Sequence, residues 1–135
     1  MRIRTFVATG AVLAAAATGA LTQSAVAAPA TTPWSASYGT AAVAGTKWVE
    51  HRDSGLTPLV WQGTLKNTGS GCYSVWTSVA HDMWGMGPEK QATQCGAGSV
   101  SFSQEDSSLT FTSVQVVVCR GDKDTTDCGS WVKII

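Results

Sequence analysis

Two runs rich in Val, Trp, Tyr and Thr, Leu59 to Lys66 and Cys72 to Ala80, flank the short polar stretch Asn67-Thr68-Gly69-Ser70-Gly71. In the first run Leu59, Trp61, Gly63 and Leu65 alternate with Val60, Gln62, Thr64 and Lys66. That is the period of a β-strand, in which successive side chains point to opposite faces. The second run does not phase cleanly, because Tyr73, Val75, Thr77 and Val79 compete with Cys72, Trp76 and Ala80 for the inside. A strand apolar on both faces is a central one. The pattern predicts a β-hairpin with a loop of about five residues, lying at the centre of a sheet.

Further strands are expected on either side. Lys47 to Arg52 alternates enough to be the first domain strand, with Trp48 facing inward in one phase. Gln91 to Cys95 and Ser99 to Ser103 follow, separated by Gly96-Ala97-Gly98, and the polar Gln104 to Ser108 reads as a turn. Leu109 to Cys119 is the strongest strand signal, β-branched from Val114 to Val118 apart from Gln115, and Gly129 to Ile135 returns as the last. His81 to Pro88 reads as a loop whose Met83, Trp84 and Met86 cap the core. About seven short strands with no helical pattern predict an all-β fold, a small antiparallel β-sandwich of immunoglobulin-like type. The cysteines are not placed for the core disulfide of an antibody domain.

The N-terminus divides differently. Arg2 and Arg4, an Ala/Val/Leu run and the Ala-x-Ala pattern ending at Ala27 predict a secretory signal peptide over residues 1–27. Residues 28–46 carry no charge and little apolar bulk, so an extended Ala/Gly-rich segment is expected ahead of a β-sandwich domain over 47–135. Such a segment is a frayed tail or edge strand, or a strand made for another protein. Small side chains let its backbone approach a groove closely and add to a sheet there. Tyr38, Gly39, Thr40, Ala41, Ala42, Val43, Ala44 and Gly45 are the candidate partner-binding residues, with Tyr38 and Trp34 as anchors.

Charge and cysteines narrow the function. Without its leader the chain keeps seven Lys and Arg against nine Asp and Glu, which gives no reason to expect a nucleic-acid or anionic-membrane partner. Four cysteines in a small secreted chain predict two disulfides, and the short spacing of the last two favours Cys72–Cys95 and Cys119–Cys128. The lack of a Cys-x-x-Cys spacing argues against zinc. Asp122, Asp124 and Asp127 are spaced to meet at a calcium ion, but the intervening Lys123 and neighbouring Arg120 favour a solvated turn. Arg120-Gly121-Asp122 and Asp53-Ser54-Gly55 are short matches to an adhesion tripeptide and to a protease motif without the rest of either context. No metal-binding His pair, phosphate loop or nucleophile elbow stands in the sequence, so neither an enzyme nor a cofactor is expected.

With its leader, the uncharged Tyr38-Gly39-Thr40-Ala41-Ala42-Val43-Ala44-Gly45-Thr46 and a small disulfide-bearing β domain, the chain resembles small secreted actinobacterial proteins. Among these it looks like the adaptor subunits of the umbrella-shaped toxin particles of Streptomyces. The resemblance implies a secreted adaptor in an extracellular toxin complex. The N-terminal segment would enter the cleft of a trypsin-like domain in a lectin subunit, and the β domain would dock on a repeat-containing spoke protein. The alternatives are a secreted inhibitor of proteases or glycosidases presenting the Cys119–Cys128 loop, and a carbohydrate-binding module using exposed rings among the six tryptophans.

Overall fold

The computed structural model describes residues 27–82, 84–107 and 112–135. The expected leader lies outside these residues but for Ala27, as do Met83 and the start of the strand expected from Leu109.

Nine strands and no helix make up the described residues. They are β1 (Thr32–Tyr38), β2 (Ala41–Val49), β3 (Leu59–Asn67), β4 (Cys72–His81), β5 (Trp84–Gly85), β6 (Glu89–Cys95), β7 (Gly98–Asp106), β8 (Ser113–Arg120) and β9 (Val132–Lys133). One antiparallel sheet has the order β1-β2-β3-β7. In the other, β4 pairs with β8 on one side and with β5 and β6 on the other, and β9 pairs with β8. The chain changes sheet after β3, after β6 and after β7. Leaving β1 aside, β2-β3-β7 against β6-β4-β8-β9 is immunoglobulin-like connectivity, with β6 paired to β4 instead of β7.

Both predicted disulfides are present, Cys72–Cys95 and Cys119–Cys128. Neither joins the two sheets. Cys72 and Cys95 face each other across the β4–β6 pair, and Cys119 and Cys128 close the tip that follows β8.

The central hairpin is not a hairpin. β3 and β4 are each central, β4 as its two-faced apolar pattern indicated, but in different sheets, so residues 68–71 form an arch between layers. Asn67 makes the arch. Its side chain is buried, donates to the carbonyls of Gly69, Gly71 and Gly96, and accepts from Gly69 N and Thr40 Oγ1. A β-turn would have returned β3 onto β4 in one plane; this carboxamide instead satisfies the backbone of a chain leaving its sheet.

The boundary expected between residues 46 and 47 does not exist. β2 runs unbroken from Ala41 to Val49 and is paired on both edges, with β1 and with β3. Ala41 and Val43 are core residues, Val43 with no exposed surface. Lys47 faces the same side as Val43, so Trp48 faces out, opposite to the expected phase. The Ala/Gly composition has a packing cause. Trp34 on β1 lies across Gly45 and Gly63, and a Cβ on either glycine would come within 2.7 Å of its ring. The indole thereby reaches Phe102 on β7, ring centres 6.2 Å apart. The segment looked too poor in apolar bulk to fold because its bulk is supplied by one tryptophan spread over two glycines.

The remaining core is the inward row of each strand: Leu65, Tyr73 and Val75 beside Val114, Val116 and Val118. β7 extends to Asp106, through the stretch expected to turn, and the C-terminal strand is reduced to Val132–Lys133.

Candidate functional site at the disulfide-bearing end

Four connections meet at one end of the sandwich: the β1–β2 turn at Gly39 and Thr40, the β3–β4 arch, the β6–β7 turn, and the tip between Arg120 and Cys128. Backbone bonds stitch them together, Thr68 N to Thr40 O at 3.0 Å, Gly96 N to Gly71 O at 3.1 Å and Gly121 N to Cys72 O at 2.8 Å. The turn needs Gly39, which sits at φ 58°. A Cβ there would fall 2.2 Å from the Tyr73 hydroxyl, which accepts from Thr40 N at 3.4 Å.

The tip is tied down at its base and along one side. On either side of the disulfide, Arg120 N donates to Asp127 O and Gly129 N to Val118 O, continuing the hairpin ladder. Ser74, fully buried although it faces outward from β4, donates to Gly121 O and accepts from Trp76 Nε1, each at 2.8 Å. Lys90 Nζ donates to Asp122 O at 2.8 Å and lies 5.9 Å from the centre of the Trp76 ring. The tip therefore leans on β4 and β6 rather than projecting as a free loop.

On the other side stands a group of aromatic and charged residues. Tyr38 donates its phenol proton to Asp127 Oδ1. The Arg120 guanidinium carbon lies 5.9 Å from the ring centres of both Tyr38 and Tyr73, and Arg120 Nη1 is 3.8 Å from Asp127 Oδ2. The two phenols are driven in opposite directions. Its hydrogen bond to the Asp127 carboxylate raises the pKa of Tyr38, because losing the proton would leave two facing anions. The hydrogen bond from Arg120, with support from Thr40, lowers that of Tyr73 by favouring its phenolate. Within the tip, Asp124 Oδ1 accepts from Thr126 N at 3.0 Å and Thr126 Oγ1 at 2.6 Å, which lowers the Asp124 pKa.

What this arrangement presents is a polar, preformed edge. Asp122, Lys123 and Asp124 are exposed at its crest. The carboxylates of Asp124 and Asp127 turn to separate partners, and no cluster of metal-ligating side chains occurs among the described residues.

Of the residues singled out in the sequence, Tyr38, Gly39 and Thr40 belong to this end. Ala41 and Val43 are in the core, Ala42 and Ala44 point to solvent from the outer face of the first sheet, and Gly45 lies beneath Trp34. Trp34 is a core residue, not an anchor for a partner. Asn67, Tyr73 and Ser74 were missed, with only the Gly-rich run after Asn67 as a hint, and Arg120 was noted as a charge of the tip but not as the partner of two tyrosines.

The opposite end holds a second polar group. His81 Nε2 lies 3.6 Å from Asp106 Oδ2, and Thr112 Oγ1 lies 3.2 Å from His81 Nδ1 and 3.4 Å from the same Asp106 oxygen. In a nucleophilic relay the hydroxyl gives its proton to the ring and the carboxylate sits on the far side of that ring. Here the Thr112 hydroxyl touches both, so the three close a triangle that ties β4, β7 and the entry to β8.

No protein-family model matches the chain, and comparison with curated proteins and with solved structures finds no match.

Proposed function

We propose that this is a secreted, non-enzymatic interaction protein that docks on another extracellular protein through its disulfide-bearing end. The observation that carries the reading is the tip from Arg120 to Cys128. It is closed by a disulfide, bonded to β4 and β6 and to Tyr38 on β1, yet keeps Asp122, Lys123 and Asp124 exposed. A loop already held in one conformation loses little entropy on binding, so more of its contact energy appears as affinity. The two disulfides fit an oxidising compartment, in keeping with secretion.

Within that reading an adaptor for a multi-subunit toxin particle remains the favoured role, with its mode of attachment changed. Residues 32–38 and 41–45 are paired strands of the sandwich, and withdrawing them into a partner's cleft would strip Trp34 and Val43 from its core. A partner would instead meet the Tyr38–Thr40 turn together with the tip. The same rigid loop favours one rival, an inhibitor that inserts the tip into a hydrolase cleft.

The test is affinity capture from the producing cell's own medium, using the tagged wild-type chain and a tip variant, Asp122→Lys with Lys123→Glu. Both substitutions are at exposed positions, so the melting temperature should stay within error of wild type. The variant should lose the partner that the wild type retains. Full retention of every partner by the variant would refute docking at this end. A captured hydrolase whose activity falls on addition of the protein would select the inhibitor role over the adaptor.

A further inference from the structure

A sheet edge exposes unpaired backbone N–H and C=O groups, and proteins blunt it with proline, lysine, bulges, shortness or a covering segment. Four of the edge strands among the described residues carry such a device. β1 has Pro33, and Gly129 passes so close to it that a Cβ there would lie 2.8 Å from Ser37 O. β6 begins with exposed Glu89 and Lys90, and its register against β4 shifts between Val75 and Trp76. β5 and β9 are two residues each.

Among the described residues β7 has no proline, lysine, register shift or shortening, and its charges are confined to Glu105 and Asp106 at its end. It is nine residues long and pairs with β3 in unbroken register. From Gly98 to Gln104 it is uncharged. Its inward-facing Val100 and Phe102 are only partly buried, although they pack on the core.

We propose that the β7 edge is a homodimer interface, in which two copies pair β7 antiparallel about a twofold axis and join their four-stranded sheets into one. The strand is complementary to itself. A twofold axis through Phe102 sets Phe102 opposite Phe102 of the second copy, Val100 opposite Gln104, Ser101 opposite Ser103, and Ser99 opposite Glu105. Each carboxylate at the end of the strand thus meets a serine or glycine, and no like charges face each other. Such a contact is isologous and closes at two copies, so it does not run on into a filament. Pairing would satisfy the outer backbone groups of β7 and cover the exposed parts of Val100 and Phe102. A second copy is favoured over a foreign peptide because this self-complementarity is already present in the strand. The dimer is independent of docking at the tip, which lies outside the β7 edge, and it would give each assembly two tips.

Sedimentation equilibrium of the purified chain tests it. Wild type should show twice the mass of one chain, dissociating on dilution. Ser101→Lys with Ser103→Lys places lysines opposite each other across the new pair, on an outer face where each is solvated in the monomer. That variant should be monomeric with an unchanged circular dichroism spectrum. Ser101→Glu with Ser103→Glu should also be monomeric, and mixing the two variants should restore a dimer containing one of each. A wild type that is monomeric at all concentrations would overturn the proposal. So would a lysine variant that still dimerises, or a mixture that stays monomeric.

Discussion

The two ends of this sandwich are held by different kinds of interaction. At one end both disulfides, a buried carboxamide and backbone bonds between separate connections fix the chain. At the other, the β2–β3 connection bonds mainly to itself, Arg52 N to Leu56 O and Gly55 N to Arg52 O. Its tie to the neighbouring sheet strand is the ion pair of Arg52 with Glu105 at 2.7 Å, half open to solvent. A covalent or buried tie keeps its value in water, whereas an exposed ion pair is screened and opposed by side-chain entropy. A loop meant to present a fixed shape belongs on the first kind of end.

The strongest way to break this contrast is Asn67→Ala. It would remove the side-chain partner of the Gly69 carbonyl and amide and of Thr40 Oγ1, and one of the two donors to each of the Gly71 and Gly96 carbonyls, where the chain passes between sheets. A loss of about 3 kcal/mol is expected in urea denaturation, since one buried carboxamide makes five hydrogen bonds that a methyl group cannot replace. Next comes the tip disulfide. Replacing Cys119 and Cys128 by serine should cost about 2–3 kcal/mol, the loop-closure value for so short a loop, and should loosen the tip without changing the sheets. At the opposite end, Arg52→Ala should leave the denaturation midpoint unchanged within error, since its ion pairs with Glu50 and Glu105 are exposed.

The last contrast, within the disulfide-bearing end, is a matter of pH. In an alkaline titration followed by tyrosine absorbance, Tyr73 should ionise below the usual phenol range and Tyr38 above it, assigned by Tyr73→Phe and Tyr38→Phe. The linkage signs differ. Tyr38, with its folded pKa raised, contributes stability that is present below its unfolded pKa and lost as pH rises through the folded value. Tyr73, with its folded pKa lowered, contributes stability that is present above its unfolded pKa and lost as pH falls through the folded value. Equal ionisation of the two would mean that Arg120 and Asp127 do not hold them as described.

Much of the fold was legible in the sequence because alternation and cysteine spacing are local signals. Leu59, Trp61 and Leu65 were set on one face by period alone, whereas Val75 was left to compete with Trp76 for the inside, and the ten residues from Cys119 to Cys128 allowed little but a stapled hairpin tip. What stayed hidden depends on pairings far apart in the chain. No local feature tells that Trp34 will lie over Gly45 and Gly63, so residues 28–46 looked too thin to fold. Nor does Asn67-Thr68-Gly69-Ser70-Gly71 reveal whether it returns β4 to β3 or passes it to the other layer, because both need the same permissive residues. β7 was cut short at Ser103 for a related reason: the end of an edge strand is solvated on several sides and reads as polar loop.

Amide hydrogen exchange, read residue by residue, bears most directly on the claim that the tip is a rigid presented surface. Exchange reports the free energy of local opening, which spans from near zero in loosely tied loops to the global value in core strands. The amides of Arg120 and Gly121, bonded to Asp127 O and Cys72 O, should be protected nearly as strongly as those of β4, while Gly55 exchanges fast. Protection at Arg120 and Gly121 as low as at Gly55 would contradict it, because the tip would then be an ordinary mobile loop that a disulfide happens to close.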